Sequence, residues 1–204
     1  MNIIEFKDVA KSHLTQKLYE NVNLEINKGD KITIVGNNGS GKSTLLKLIN
    51  EDEYPNYGDI IIGEEAKISY FDQFGETSLD KTVKELLDSP FGHIVKAQVH
   101  LEEISTQFTG ESDNDERVME EFQKASDYFE SLGAYDYIHL QSEFIDVFEL
   151  ESKLDRKFKD LSGGEKQYVR LAIALFKESN LIILDEPLSY FDKKKTAWLA
   201  NFIT

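Results

Sequence analysis

The sequence predicts an α/β core interrupted by an acidic helical insert, and three observations carry that prediction. Short β-branched runs precede a Gly-rich octapeptide, Gly36-Asn37-Asn38-Gly39-Ser40-Gly41-Lys42-Ser43, which leads into a helix-forming stretch. A continuous apolar run, Leu181–Leu184, ends in two acids, Asp185 and Glu186. The charge is uneven: 23 Lys+Arg against 38 Asp+Glu give −15 over 204 residues, yet residues 102–155 alone hold 16 acids and 3 bases, net −13. A chain of this length accommodates one domain, or one domain with an insert, and buries a real core. Its 40% apolar content is that of a globular chain.

Composition excludes several classes of function. With no cysteine, disulfides, thiolate zinc sites and cysteine nucleophiles are ruled out, and a reducing cytoplasm is the expected location. No run approaches a membrane span, and Asn2-Ile3-Ile4-Glu5 is not the start of a signal peptide, so direct membrane insertion is not expected. The net charge argues against a protein that grips nucleic acid with its whole surface, while leaving room for a local patch.

Taken in order, Ile3–Val9 and Val22–Ile26 alternate apolar and polar residues as half-buried strands do. Asn27-Lys28-Gly29-Asp30 reads as a turn, and Lys31–Val35 as a short buried strand. Thr44–Ile49 starts a helix. Asp59–Ile62 and Lys67–Phe71 read as strands around a turn at Gly63. From Leu79 to about Leu150 the periodicity is helical: Val83, Leu86 and Leu87 share a face, and Val118, Phe122 and Phe129 recur at intervals of four and seven. Gly110–Glu116 reads as a polar loop between two helices. Leu181–Leu184 reads as a strand buried on both faces. Trp198, Leu199 and Phe202 indicate a final helix.

The octapeptide fits G-x-x-x-x-G-K-[ST]. Its glycines let backbone N–H groups turn inward onto an anion, and the helix that follows aims its positive end at the same place. Gly36, Asn37, Asn38, Gly39, Ser40, Gly41, Lys42, Ser43 and the adjoining Thr44 are therefore the expected phosphate-binding residues, with Lys42 on the β- and γ-phosphates and Ser43 on Mg²⁺. An acid at the end of an apolar strand holds the metal in such proteins, which assigns Asp185. The next carboxylate, Glu186, is placed to act as general base on an attacking water. Leu161-Ser162-Gly163-Gly164-Glu165 opens another helix, with Ser162 as N-cap and two glycines exposing N–H groups that suit an oxyanion.

These three motifs, in this order and spacing, resemble the nucleotide-binding domain of ATP-binding-cassette (ABC) proteins, and the resemblance covers essentially the whole chain. It implies a P-loop NTPase ABC-type core, a mixed sheet with flanking helices, carrying an inserted acidic helical subdomain. It implies a division into 1–74 (core, first part), 75–165 (helical subdomain ending in the signature motif) and 166–204 (core, second part). It implies ATP and Mg²⁺ as ligands and ATP hydrolysis as the reaction. Gln73 falls where the family places its Q-loop glutamine, a ligand of metal and water, and Asp192 at the D-loop aspartate. His13 aligns with the aromatic that stacks on adenine, a role for which Tyr19 is poorly placed. The family's composite site further implies that Ser162, Gly163, Gly164 and Glu165 complete the site of a second cassette, on the same polypeptide or in a dimer.

Gly29-Asp30-Lys31-Ile32 leading into Val35–Gly39, Ile68–Gln73 and Leu161–Lys166 resemble the soluble ABC-F branch, whose members bind ribosomes as translation factors or antibiotic-resistance proteins. Leu188-Ser189-Tyr190-Phe191-Asp192 departs from that branch's Thr-Asn-His-Leu-Asp and is closer to transporter motors, which keeps a membrane permease as the alternative partner. The family's switch histidine lies on a strand beyond the D-loop helix, whereas His13, His93, His100 and His139 all precede Asp185. The expectation is a first cassette of a longer protein, weak as an ATPase on its own.

Overall fold

The computed structural model describes residues 2–13, 16–72, 77–108 and 112–204. The chain divides into two compact units, Met1–Gly75 with Lys177–Pro187, and Glu76–Phe176 with Leu188–Thr204.

In the first unit, strands β1 (Asn2–His13) and β2 (Gln16–Asn27) form an antiparallel pair, and β3 (Tyr57–Ile62) adds to the free edge of β1. Alternation puts Ile4 and Phe6 inside. The register then shifts between Phe6 and Val9, where Asp8 adopts φ 50°, so that Val9 and Lys11 take the inward positions. This is the effect of a bulge, which re-aims the residues after it. The bulge also explains Gly58: it sits at φ +82°, and a Cβ there would lie 2.5 Å from the carbonyl oxygens of Lys7 and Asp8.

A separate parallel pair joins β4 (Ile68–Phe71) to β5 (Leu181–Leu184), in a register running from Ile68 opposite Leu181 to Phe71 opposite Leu184. Helix α1 (Lys42–Ile49) buries Leu48 and Ile49 in a core with Ile4, Phe6, Val9 and Ile183.

Two sequence expectations are corrected in this unit. Lys31–Val35 is not a buried strand: it joins neither sheet, and Ile32 and Val35 are 50% and 85% exposed. A β-branched run carries strand propensity, but a strand exists only where a neighbour completes its ladder, and no described strand pairs with this segment. For the same reason β5 is not buried on both faces. Ile183 is buried, while Leu181, Ile182 and Leu184 are half-buried beside β4, their one partner among the described strands.

The second unit is helical: α2 (Val83–Asp88), α3 (Gly92–Ser105), α4 (Ser112–Ser131), α5 (Ala134–Val147), α6 (Gly163–Phe176) and α7 (Lys193–Phe202), with short 3₁₀ turns between. Helix α2 opens with a reciprocal capping box between Thr82 and Glu85 and buries Val83, Leu86 and Leu87, the shared face read from sequence. The expected loop Gly110–Glu116 is corrected from Ser112 onward, since α4 begins there; Gly110 and Glu111 lie outside the described residues. A Ser-Asp-Asn-Asp-Glu stretch has loop composition, but small polar and acidic residues are also what a helix N-terminus favours.

An aromatic cluster joins α5, α6 and α7. Phe144 and Phe148 stack at 4.0 Å between centroids, Trp198 meets both edge-on at 5.2 and 5.5 Å, and Phe176 meets Phe144 at 5.4 Å. Such pairs add to the area they bury. Helix α6 and residues 188–204 therefore group with the helical unit by packing, whereas the motif-based division places 166–204 with the core.

Candidate functional site

The Gly-rich loop wraps the start of α1. Gly39 and Gly41 hold φ +79° and +95°, the left-handed region that side chains rarely adopt. Gly41 is the N-cap of α1. It also has little room to grow, because a Cβ would lie 3.1 Å from Cε1 of Tyr19 and 3.3 Å from Leu18. The helix has no side-chain cap and no acid in its first turn. Its first N–H groups and its dipole therefore face outward as a ready anion site. Lys42 closes the loop, its Nζ donating to the carbonyls of Gly36 at 3.0 Å and Asn37 at 3.1 Å. Ser40 donates its N–H to the Asn37 carbonyl at 3.2 Å, which tightens the same turn. The Ser43 side is exposed and Thr44 half-buried.

His13, at the end of β1, reaches this helix: its Nε2 lies 3.3 Å from Oγ1 of Thr44 and 3.9 Å from the Glu53 carboxylate. Glu53 is chiefly the partner of Lys11, whose Nζ sits 2.9 Å away and also donates to the Tyr54 carbonyl at 2.7 Å. The Lys11 hydrogen bond holds the Glu53 carboxyl below its usual range. Tyr19 is raised to about 12, by burial first and by Glu53 second. Sequence reasoning missed Lys11, Glu53 and the closeness of Tyr19 to the loop. The bulge at Asp8 turns Lys11 inward, and alternation alone does not reveal that.

The parallel register brings the ends of β4 and β5 side by side, placing Asp72 and Asp185 as neighbours just beyond them. Asp185 donates its N–H to the Phe71 carbonyl at 3.2 Å. Burial pushes the Tyr70 phenol far above its ordinary range, with Asp185, Asp72 and Asp52 adding to it, which marks this strand end as a locus of negative charge. Glu186 follows at φ 48°, a left-handed conformation uncommon for a residue with a side chain. Gln73, expected next to Asp72, lies outside the described residues. Among the described residues no group of three or more His, Cys, Asp or Glu is arranged to hold a metal ion.

In the helical unit, Ser162 and Glu165 cap α6 reciprocally. The Ser162 N–H donates to the Glu165 carboxylate at 2.7 Å, and the Glu165 N–H to Ser162 Oγ at 3.4 Å. These bonds hold the Glu165 carboxyl below its usual range, assisted by Lys153 at 3.2 Å. Gly163 and Gly164 have nothing within 4 Å of where a Cβ would stand. Among the described residues nothing crowds them into being glycine. Asp192 caps α7, accepting from the Lys195 backbone N–H and from its Nζ, both at 2.9 Å.

Residues 19–189 match the family model described as ABC transporter. The chain is 27% identical to the uncharacterised ABC transporter ATP-binding protein YfmM of Bacillus subtilis, over 100% of this chain and 40% of that protein. It is 28% identical to the energy-dependent translational throttle protein EttA of Mycobacterium tuberculosis, over 98% of this chain and 36% of that protein. It therefore spans well under half of these relatives. Among solved structures, the archaeal ribosome recycling factor aABCE1, seen in complex with the stalk protein aP1, shares the fold at TM-score 0.68 and 22% identity, over 100% of this chain and 32% of that one. No helix among the described residues is long and apolar enough to cross a membrane. With its loop, strand-end acids and signature helix in the family's order, the chain belongs to the ATP-binding-cassette family, as a nucleotide-binding cassette of ABC type.

Proposed function

We propose that this cassette binds and hydrolyses ATP as part of an ABC-F type protein that acts on the ribosome, in translation regulation or antibiotic resistance. The observation that carries ATP binding is the open N-terminus of α1, uncapped and free of acids, with the Lys42 ammonium folded over the loop that leads into it. Likeness to a translational throttle protein over nearly the whole chain supports the ribosome as partner.

The residues fit Mg²⁺. Ser43, Asp185 and Gln73 offer hard oxygen donors, few in number, as suits an ion that keeps waters and phosphate oxygens as its other ligands. When bound, Mg²⁺ offsets charge on the β- and γ-phosphates. Lys42 holds the same oxygens from the loop side, and the Glu186 carboxylate takes a proton from the attacking water. Phosphoryl transfer is mostly positioning and charge stabilisation, so loss of either side chain is severe.

The site is composite in this reading. Gly163 and Gly164 leave open space above the start of α6, which suits close approach of the phosphates held by a second cassette. Asp192 serves the same junction from the start of α7. A second reading, the motor of a membrane transporter, is favoured by Ser189-Tyr190-Phe191-Asp192.

The deciding experiment uses the full-length protein carrying Glu186→Gln. ATP-dependent co-sedimentation with ribosomes, lost when Lys42→Ala is added, is expected. Recovery with membranes and a permease, with no ribosome association, overturns the ribosome reading in favour of the transporter.

A further inference from the structure

Helix α5 has two faces. Ala134, Tyr137, Phe144 and Val147 are buried in the helical unit. The opposite stripe is Tyr135, Ile138, His139, Ser142 and Asp146, which with Glu143 lines a shallow groove. Those positions follow helical spacing, so they form one continuous strip. Tyr135 is 60% exposed and Ile138 37% exposed. The Tyr135 ring is held from behind by Phe129 of α4, edge-on at 5.3 Å between centroids. An aromatic fixed on one side and open on the other makes an anchor that loses little freedom on binding.

The rim of this strip is acidic. Glu143 has no ion-pair partner among the described residues, and Asp146 meets one cation, Lys194 at 3.4 Å. The strip belongs to the segment 102–155, which holds 16 acids and 3 bases. A surface of that sign repels the phosphates of nucleic acid and anionic lipid. It also repels a second copy of itself, because a two-fold contact would bring the same acidic strip to both sides. It attracts Lys and Arg, and two exposed apolar anchors along one helix face offer a surface for the apolar side of an incoming basic amphipathic helix.

We propose that the outer face of α5 is a docking groove for a basic, amphipathic helix of another protein. The groove lies within the helical unit and uses none of the nucleotide residues, so it stands or falls separately from the ATP reading.

The test uses the 204-residue chain and a fluorescent 14-residue peptide of Leu and Lys, with Leu at i, i+3, i+4 and i+7, read by anisotropy. A scrambled peptide of the same composition is the comparison. The ordered peptide is expected to bind more tightly than the scrambled one, increasingly so as salt is lowered. Tyr135→Ser with Ile138→Ser is expected to weaken binding about tenfold or more. Glu143→Lys is expected to weaken it and to flatten the salt dependence. Both anchors lie on the outer face of α5, so the fold is expected to be retained, and unchanged circular dichroism and nucleotide binding check it. Equal binding of both peptides, or wild-type affinity in the double variant, overturns the proposal. So does concentration-dependent self-association that Tyr135→Ser abolishes, which makes the strip a contact between copies. Displacement of the peptide by an RNA oligonucleotide that requires Tyr135 likewise overturns it.

Discussion

The Nζ of Lys42 donates to the carbonyl oxygen of Gly36 at 3.0 Å, so the cation stands over the loop that leads into α1. Neutral carbonyls are weaker partners for an ammonium than phosphate oxygens, where both partners are charged; a hydrogen bond to a charged group contributes about 1.5–3 kcal/mol. Exchanging one for the other draws Lys42 onto a bound nucleotide without rebuilding the loop. Lys42→Ala is expected to lower ATP affinity by about 100-fold or more while leaving the fold intact. Titration calorimetry with a non-hydrolysable ATP analogue, alongside circular dichroism, checks both halves.

Gly39 and Gly41 share a left-handed backbone but differ in surroundings. Alanine at either position meets a left-handed penalty of about 1–2 kcal/mol. At Gly39 nothing else among the described residues stands in the way, whereas at Gly41 the new methyl presses on Tyr19 and Leu18. Gly41→Ala is expected to cost about 2–3 kcal/mol, the upper part from crowding, against about 1 for Gly39→Ala. Thermal unfolding of both variants, with Gly41→Ala melting clearly lower, is the check. Equal melting points would show that Tyr19 does not press on the loop.

Glu165 tests the signature helix without touching its glycines. Its carboxyl is held low by the Ser162 bonds and then by Lys153. A carboxyl whose folded value is depressed stabilises the fold above its unfolded value, about 4.3 for Glu, and loses that contribution as pH falls further. Glu165→Ala is expected to cost about 1 kcal/mol at neutral pH. Glu165→Gln, which keeps the acceptor and loses the charge, costs less. The gap between wild type and Glu165→Gln should close as pH falls below about 4. Urea unfolding at pH 7 and pH 3.5 measures it, and a gap that widens at low pH contradicts the cap.

Several features were legible because their signals are local. The Gly/Lys spacing of the loop, the apolar run ending in Asp185, the Ser162 cap and the shared face of Val83, Leu86 and Leu87 all sit within one or two turns of chain. What escaped depends on distant neighbours. Lys31–Val35 carries strand composition without a ladder partner among the described strands, so it is exposed. Lys11 looks like an outward residue until the bulge at Asp8 shifts the phase of β1. The contact of His13 with Thr44 spans 31 positions, and that of Lys11 with the Tyr54 carbonyl spans 43; no periodicity links residues so far apart. The polar run before Glu116 fitted a loop and a helix start equally well.

The Lys11–Glu53 pair gives a last test beside the nucleotide loop. The Lys11 side chain is 11% exposed and that of Glu53 24%, so neither charge is fully hydrated. Among the described residues, removing Glu53 leaves the ammonium with the Tyr54 carbonyl alone and removes the carboxylate near His13. Glu53→Ala is therefore expected to cost about 1–3 kcal/mol, while Lys11→Met with Glu53→Ala recovers part of that loss because no buried charge is stranded. The folded Glu53 carboxyl is depressed, so the pair's contribution is present above the ordinary glutamate range and fades as pH falls through and below it. Unfolding of the two variants and wild type at pH 7 and pH 4 separates the terms. If the double variant is no more stable than Glu53→Ala, the single-variant loss comes from packing around Glu53 and not from the stranded ammonium.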